Sequence, residues 1–397
     1  MGNELPKGWK VKPLKDVIIP TKGKKPKQLS EIPFNNSIPY IDIKALEKGI
    51  IEQYADIESS KSFSSNDIAV VWDGARCGWV SKSKEGAIGS TICALTPQNV
   101  DSDYLYYFLL GKYSVINTKG RGVGIPHVDP TFFGNIDVPM PIPIEQKQIA
   151  EKLDNLFAQI ETIKKSTERI PELLKNFRQQ ILTYAVTGKL TNENSLWELK
   201  TLDEIAIPKA GYAFKATDFI DNGIQVIRMG NLYDNKLSLD RNPIFVPENY
   251  DADIIKRSRV RKNDILITLT GTKYKRDYGY AIKIDSDEIL LLNQRILSLT
   301  PLINPDYLLL ALRSDEFRNQ FFEFETGGVN QGNVGVKNVM TIKLHIPSPE
   351  VQEEIVERTQ RLFDILDSVE RKYKTLCDKL DKLPQALLCK AFKGELL

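Results

Sequence analysis

Two stretches of the chain concentrate basic side chains. Residues 255–276 (IKRSRVRKNDILITLTGTKYKR) hold eight Lys and Arg against one acid, and residues 1–35 hold eight Lys against three acids. Local clusters of this kind neutralise phosphates, whatever acids lie elsewhere in the chain. Lys22, Lys24, Lys25, Lys27, Lys273, Lys275 and Arg276 are therefore candidates for contact with a nucleic-acid backbone, and Arg76 and Lys119 join them from the first half of the chain. Either cluster alone could be a solvated loop, but its occurrence in both halves favours nucleic acid. Two further stretches, TKGRGVGIPHVDPTFFGNIDVPMPIP and ETGGVNQGNVGVKNVMTIKLHIPSP, each pass from a Gly-rich turn through polar residues into prolines. Glycine permits close backbone approach, and Arg121, His127, Asn330, Gln331, Asn333 and Lys337 carry donors and acceptors suited to base edges. Arg and Lys match guanine, while Asn and Gln match adenine. A plain surface loop is the competing reading of both stretches.

Catalytic readings fail by what is missing. Lys24, Lys112 and Lys189 each follow a glycine, yet none precedes Ser or Thr, so no phosphate-binding G-x-x-x-x-G-K-[ST] loop exists. No G-x-S-x-G elbow is present, and the two histidines, His127 and His345, do not make a triad. Asp129-Pro130-Thr131-Phe132 resembles the Asp/Asn-Pro-Pro-aromatic loop of amino-methyltransferases, but Thr131 replaces the second proline and no Gly-rich cofactor strand precedes it. Cys77, Cys93, Cys377 and Cys389 lie far apart, which argues against a zinc site or disulfide framework and fits a reducing cytoplasm. No metal and no catalytic residue is expected.

Composition sets the frame for these motifs. The chain has 397 residues, 54 Lys and Arg against 52 Asp and Glu, and 42% hydrophobic residues, which describes a globular protein of roughly two to three domains. No window approaches the roughly 18 to 20 uncharged apolar residues of a spanning helix, and MGNELPKGWK has no secretory core, so a cytoplasmic location is expected.

The chain repeats itself. An offset of 206 residues aligns PIPIEQKQIAEKLDNLF, from Pro141, with PSPEVQEEIVERTQRLF, from Pro347, and without a gap also aligns AVTGKL, from Ala185, with AFKGEL, from Ala391. Upstream, CALTPQNVDSDYLYYFL resembles RILSLTPLINPDYLLLAL, Asn66-Asp67-Ile68 recurs as Asn263-Asp264-Ile265, and Trp9 recurs as Trp197. From Trp9 to Gln146 is 137 residues and from Trp197 to Gln352 is 155, so the second globular copy is longer by 18. The order is globular, helical, globular, helical.

In the helical segments, apolar residues alternate spacings of four and three. Ile149, Leu153, Leu156, Ile160 and Ile163 begin one seam, which continues through Thr167 to Tyr184. Leu362, Leu366, Val369, Leu376 and Leu380 belong to the other, which starts at Ile355. A pattern sustained over five heptads predicts a coiled coil. Pro171 and Pro384 should kink or restart the helices, and Gly188 and Gly394 should stop them. A globular copy of about 160 residues between the helices lets the chain leave one end of the rod and return at the other. Antiparallel pairing with a pseudo-twofold is therefore expected.

The globular copies read as mixed α/β. SNDIAVVW, KNDILITLT, TICALTP and QRILSLTP predict strands, and DYLYYFLLGKY and DYLLLALRSDEFRNQFF predict helices that start at Asp.

The order of these features resembles the DNA-specificity subunits of type I restriction-modification systems, over essentially the whole chain. The resemblance rests on the proline-rich runs into EQKQIAEKLD and VQEEIVERTQ, on AVTGKL and AFKGEL, on WKVKPLKDV and WELKTLDEI, and on the Gly-rich stretches. It implies an α+β protein with two α/β target-recognition domains in tandem, at 1–143 and 191–349. Two long antiparallel coiled-coil helices, 144–190 and 350–397, separate them with pseudo-twofold symmetry. It implies a non-catalytic subunit that binds an asymmetric bipartite site in double-stranded DNA. Its implied partners are two copies of the modification subunit, which carry S-adenosylmethionine and methylate adenine, and a restriction subunit; no cofactor belongs to this chain. Val351-Gln352 departs from the acidic-Gln pair Glu145-Gln146, and Pro171 and Pro384 interrupt the helical runs. The first seam spans 35 residues, or about 53 Å at roughly 1.5 Å per residue, on the order of one and a half duplex turns. The alternatives are a two-headed adaptor for protein or RNA, and a self-contained methyltransferase that would bind S-adenosylmethionine by itself.

Overall fold

The computed structural model describes residues 5–82, 85–120, 125–191, 197–328 and 330–397. The chain divides into two compact units, Met1–Glu168 with Lys374–Leu397, and Arg169–Tyr373. Each unit holds one globular head and portions of both helical segments.

In the first unit, an antiparallel sheet runs in the order Ile18–Lys22, Ile92–Pro97, Ile68–Val71, Val80–Ser81. Ile68–Val71 (IAVV) is buried at every position because both faces of the strand are covered. Ile68, Val70, Cys93 and Leu95 meet Leu105, Phe108 and Leu109 of the helix Ser102–Thr118. Ala69, Ile92 and Ala94 point the other way, toward Ile41, Phe63 and Ile88 of a five-stranded sheet. In that sheet Ser37–Ile41 runs parallel to Gly86–Ile88. Burial pushes the Cys93 thiol up to about 11, so this cysteine packs as an apolar group. The phenol of Tyr104 donates to the Pro139 carbonyl at 2.7 Å, which fixes the helix to Asp137–Met140, the strand paired with Lys10–Pro13.

The second unit repeats this plan. Its sheet order is Ala206–Ala210, Ile296–Pro301, Ile265–Thr268, Ala281–Lys283, and Ile224–Ile227 runs parallel to Leu290–Leu292 in a second sheet. Tyr307 donates to the His345 carbonyl at 2.8 Å, and Glu198–Thr201 pairs with Lys343–Ile346. The four predicted strands and the first predicted helix form, but the helix starts differ from expectation. Asp101 and Asn304, two residues before the expected aspartates, cap Ser102–Thr118 and Pro305–Arg313. The second helical run breaks at Ser314, whose hydroxyl caps a separate helix, Asp315–Glu323.

The helical segments run Pro143–Thr167, Ile170–Val186 and Pro349–Ala391. Pro171 restarts a helix, standing in the first turn where its missing N–H would have had no partner. The expectation for Pro384 is corrected, since the helix continues through it. A proline there removes a single donor, while Leu380 and Leu388 on either side stay buried. Gly188 (φ +73°) and Gly394 (φ +76°) adopt the left-handed conformation that ends helices.

Within the first unit, Ile149, Ala150 and Leu153 share a buried cluster with Leu388 and Ala391, and Lys164 Nζ donates to Asp381 Oδ1 at 3.0 Å. Within the second, Leu182, Ala185 and Val186 share a core with Val351 and Ile355, and Arg178 pairs with Asp367 and, at 3.3 Å, Glu370. Of the seam residues, Ile149, Leu153, Ile160 and Leu380 are buried, and Leu156, Leu362, Leu366 and Leu376 are half-buried. Ile163 and Val369, one in each unit, are each 40% exposed. No described helix is long and apolar enough to cross a membrane.

Candidate nucleic-acid interface

In the first unit, three chain segments bring Lys22, Asp73 and His127 together. Lys22 ends its strand, Asp73 follows Ile68–Val71, and Asp73 and His127 form an isolated antiparallel bridge. Lys22 Nζ donates to Asp73 Oδ2 at 2.9 Å and lies 5.9 Å from the Trp72 ring centre, while His127 Nδ1 is 2.7 Å from Asp73 Oδ1. Burial opposes ionisation of Asp73, but the hydrogen bonds from Lys22 and His127 outweigh it and hold the carboxyl below its ordinary value. The bond to Asp73 leaves Nε2 as the remaining polar atom of the His127 ring.

The surrounding residues are placed by the same backbone. Asn117 Nδ2 donates to the carbonyls of Ala75 and Cys77, at 3.1 and 2.9 Å, and so ties the end of the helix Ser102–Thr118 to the turn after Asp73. Exposed Lys119 sits at that helix end. Arg76 is on the same turn but pairs with Glu47, which takes up part of its donor capacity. Lys24, Lys25 and Lys27 are exposed and have no ion pair among the described residues. Arg121 lies outside the described residues.

The second unit builds the corresponding place from other side chains. Thr270–Gly271 pairs with Gly332–Asn333, so Asn333 faces Thr270 where His127 faces Asp73. Asn330, Gln331 and Lys337 are exposed beside it in sequence. The loop Thr272–Arg276 is held from below by Arg318. Its guanidinium donates to the carbonyls of Arg276, Tyr278 and Gly279 and lies over Tyr280 and Phe322, and burial lowers its pKa. Arg276 stacks 5.2 Å from the Phe322 ring centre and Lys273 Nζ donates to the Gly327 carbonyl at 3.2 Å, whereas Lys275 is exposed. The basic stretch 255–276 is not one patch. The strand Ile265–Thr268 separates Lys256, Arg257 and Arg261, which line a groove with Lys209, from Lys273, Lys275 and Arg276.

Sequence reasoning missed Asp73 and Trp72, and in the second unit it missed a cleft of about 440 Å³ lined by Arg228, Met229, Asn231, Arg241, Asn293 and Arg295. A neighbouring cleft of about 290 Å³ shares Met229, Gly230 and Arg241 and reaches Thr270, Gly271 and Thr272. The ends of two strands far apart in sequence supply Arg228 and Arg295, and a bend between strands supplies Arg241, so no local cluster announces them. The available signal was position: Arg228 follows the strand Ile224–Ile227 directly, and Arg295 precedes Ile296–Pro301 directly. Among the described residues no group of His, Cys, Asp or Glu could hold a metal.

The family model of the type I restriction modification DNA specificity domain matches residues 6–172 and 194–376. The chain is 28% identical over 400 residues to the type I restriction enzyme MjaVIII specificity subunit of Methanocaldococcus jannaschii, covering 98% of this chain and 93% of that one. It is also 28% identical over 394 residues to the EcoBI specificity subunit of Escherichia coli, covering 91% and 81%. In fold it is similar to the crystal structure of the HsdS subunit from Thermoanaerobacter tengcongensis, with a TM-score of 0.71 at 17% identity over 99% of this chain and 98% of that one.

Proposed function

The chain belongs to the family of type I restriction-modification DNA-specificity subunits, and from that premise we propose that it reads an asymmetric, bipartite duplex target, one half in each head. It is a DNA-recognition component and not itself an enzyme. One observation carries the asymmetric reading. The two heads share a backbone plan, yet at the same place one carries Asp73 hydrogen-bonded to His127 and the other a buried Thr270 opposite an exposed Asn333. Heads with the same frame and different donors and acceptors suit different half-sites.

In this reading residues 1–143 and 191–349 are the target-recognition domains, and 144–190 and 350–397 pair antiparallel as a coiled-coil spacer. The pairs Arg178 with Asp367 and Arg358 with the Leu190 carbonyl, both within the second unit, support antiparallel pairing, since the residue numbers rise along one segment as they fall along the other. Lys22, Lys24, Lys25, Lys27, Lys119, Lys273 and Lys275 contact the DNA backbone, and His127, Asn330, Gln331 and Asn333 face base edges. The spacer docks two copies of a modification subunit, which bind S-adenosylmethionine, and a restriction subunit completes the assembly.

Sequencing the methylome of cells with and without this chain tests the proposal. The expected result is loss of adenine methylation at one motif made of two unlike halves around a fixed unspecified spacer. An unchanged methylome, or loss at a continuous palindrome, contradicts it.

A further inference from the structure

Both heads contain one tight turn with the same backbone fastening and different side chains. In the second head it is Asn293-Gln294-Arg295, between the strands Leu290–Leu292 and Ile296–Pro301. Asn293 N donates to the Ile227 carbonyl at 3.1 Å, Gln294 N to Tyr212 at 3.0 Å and Ile296 N back to Asn293 at 3.1 Å, while the Arg295 carbonyl accepts from Leu269 N at 3.1 Å. In the first head the turn is Gly89-Ser90-Thr91. Gly89 N donates to Ile41 at 3.4 Å, Ile92 N back to Gly89 at 3.0 Å, and the Thr91 carbonyl accepts from Trp72 N at 2.7 Å.

The same close approach seats both turns. A Cβ on Gly23 would lie 2.2 Å from the Gly89 carbonyl oxygen, and one on Gly211 would lie 2.0 Å from that of Asn293. No side chain fits at either place, so the turn is pressed against a glycine in each head.

The turn's backbone is thus engaged within the protein while its side chains are free. Arg295 and Gln294 are exposed, and among the described residues neither side chain has a hydrogen bond or ion pair. Arg228, across the cleft, differs: its Nη2 donates to the Asn242 carbonyl at 2.5 Å and its backbone N–H to Asn231 Oδ1 at 2.9 Å. It forms a fixed wall, beside which Arg295 has five donors and no internal acceptor. A rigid support under an unengaged guanidinium is what bidentate recognition requires.

We infer that the turn Asn293–Arg295 is a specificity-determining element of the second head and that Arg295 reads a guanine in its half-site through the O6 and N7 acceptors. The first head, with Gly89, Ser90 and Thr91 on the same support, has no cation among the residues of that turn and reads its half-site by other groups. The inference rests on the proposal that the heads read DNA.

The test is methylation mapping with the full complex carrying Arg295→Ala or Arg295→Lys, beside the unaltered chain. Both variants should make one guanine position of the second head's half-site degenerate, with discrimination falling about tenfold or more, and leave the first half unchanged. The lysine keeps the charge without the fork, so degeneracy in this variant, with methylation retained, separates base reading from phosphate attraction. A motif unchanged in both variants, or a uniform fall in methylation with the motif intact, overturns the inference. Failure of the underlying reading looks different, because the unaltered chain would then direct methylation to no bipartite motif at all.

Discussion

Gln146 Oε1 accepts a 2.8 Å hydrogen bond from the backbone N–H of Asp101, the residue that caps the first head's helix, while its Nε2 donates to the Pro141 carbonyl at 2.9 Å. Gln352 repeats both bonds, accepting from Asn304 at 3.1 Å and donating to Pro347 at 2.9 Å. Both side chains are at most 3% exposed, so each amide locks a long helix to its head in a place without water. Gln146→Ala or Gln352→Ala leaves a buried N–H and C=O unpaired and should cost about 1–3 kcal/mol in denaturant unfolding. A change below a few tenths of a kcal/mol would show that the amides carry little.

The loop Thr272–Arg276 gives a salt-dependent prediction. Replacing Lys273, Lys275 and Arg276 by Gln should weaken DNA binding and flatten the plot of log affinity against log salt, by about 0.9 for each side chain that meets a phosphate. An unaltered slope would place all three in solvent.

Asp73 makes stability depend on acid. Its folded pKa lies below the ordinary 3.8, so the stabilisation it provides is complete above that value and is lost as pH falls through the lower folded one. Lys22 and His127 are about half exposed, so the effect is modest and screened by salt. Melting curves should show Asp73→Asn destabilised at neutral pH, with the deficit vanishing in strong acid. A deficit that persists unchanged in acid would assign it to packing.

The helical segments predict a ruler. The compact units divide at Glu168 and at Tyr373, so a heptad inserted at each of these points leaves both units whole. The insertion adds about 10.5 Å of helix, about three base pairs of duplex. Methylation mapping should find the spacer of the target lengthened and both half-sites unchanged. Altered half-sites around the old spacer would rule out the ruler.

The repeat was legible because it lies in residues with fixed structural duties. Gln146 and Gln352 each clamp a helix, Asp67 and Asp264 each accept from a threonine on the neighbouring strand at 2.6 and 2.7 Å, and Gly188 and Gly394 each end a helix. Such positions tolerate few side chains, so their identities survive in both copies. The candidate interface was legible only in part. Lys22 and His127 stood in stretches that composition and glycine content singled out, but Asp73 and Arg295 meet their neighbours through pairing between segments distant in sequence, and Arg241 joins the cleft through its carbonyl, which accepts from Asn231 Nδ2. Pro384 illustrates the opposite failure. Local propensity predicts a kink or restart there, and the helix continues because its neighbouring turns keep their own bonds and their buried leucines.

Head exchange tests the central claim most directly. Residues 1–140 are replaced by the corresponding segment of another family member, and the methylated motif is mapped with the complete set of partner subunits. Two independent readers on one frame predict that one half of the motif changes to the donor's half while the other half and the spacer stay as they were. A change in both halves would contradict the two-reader account.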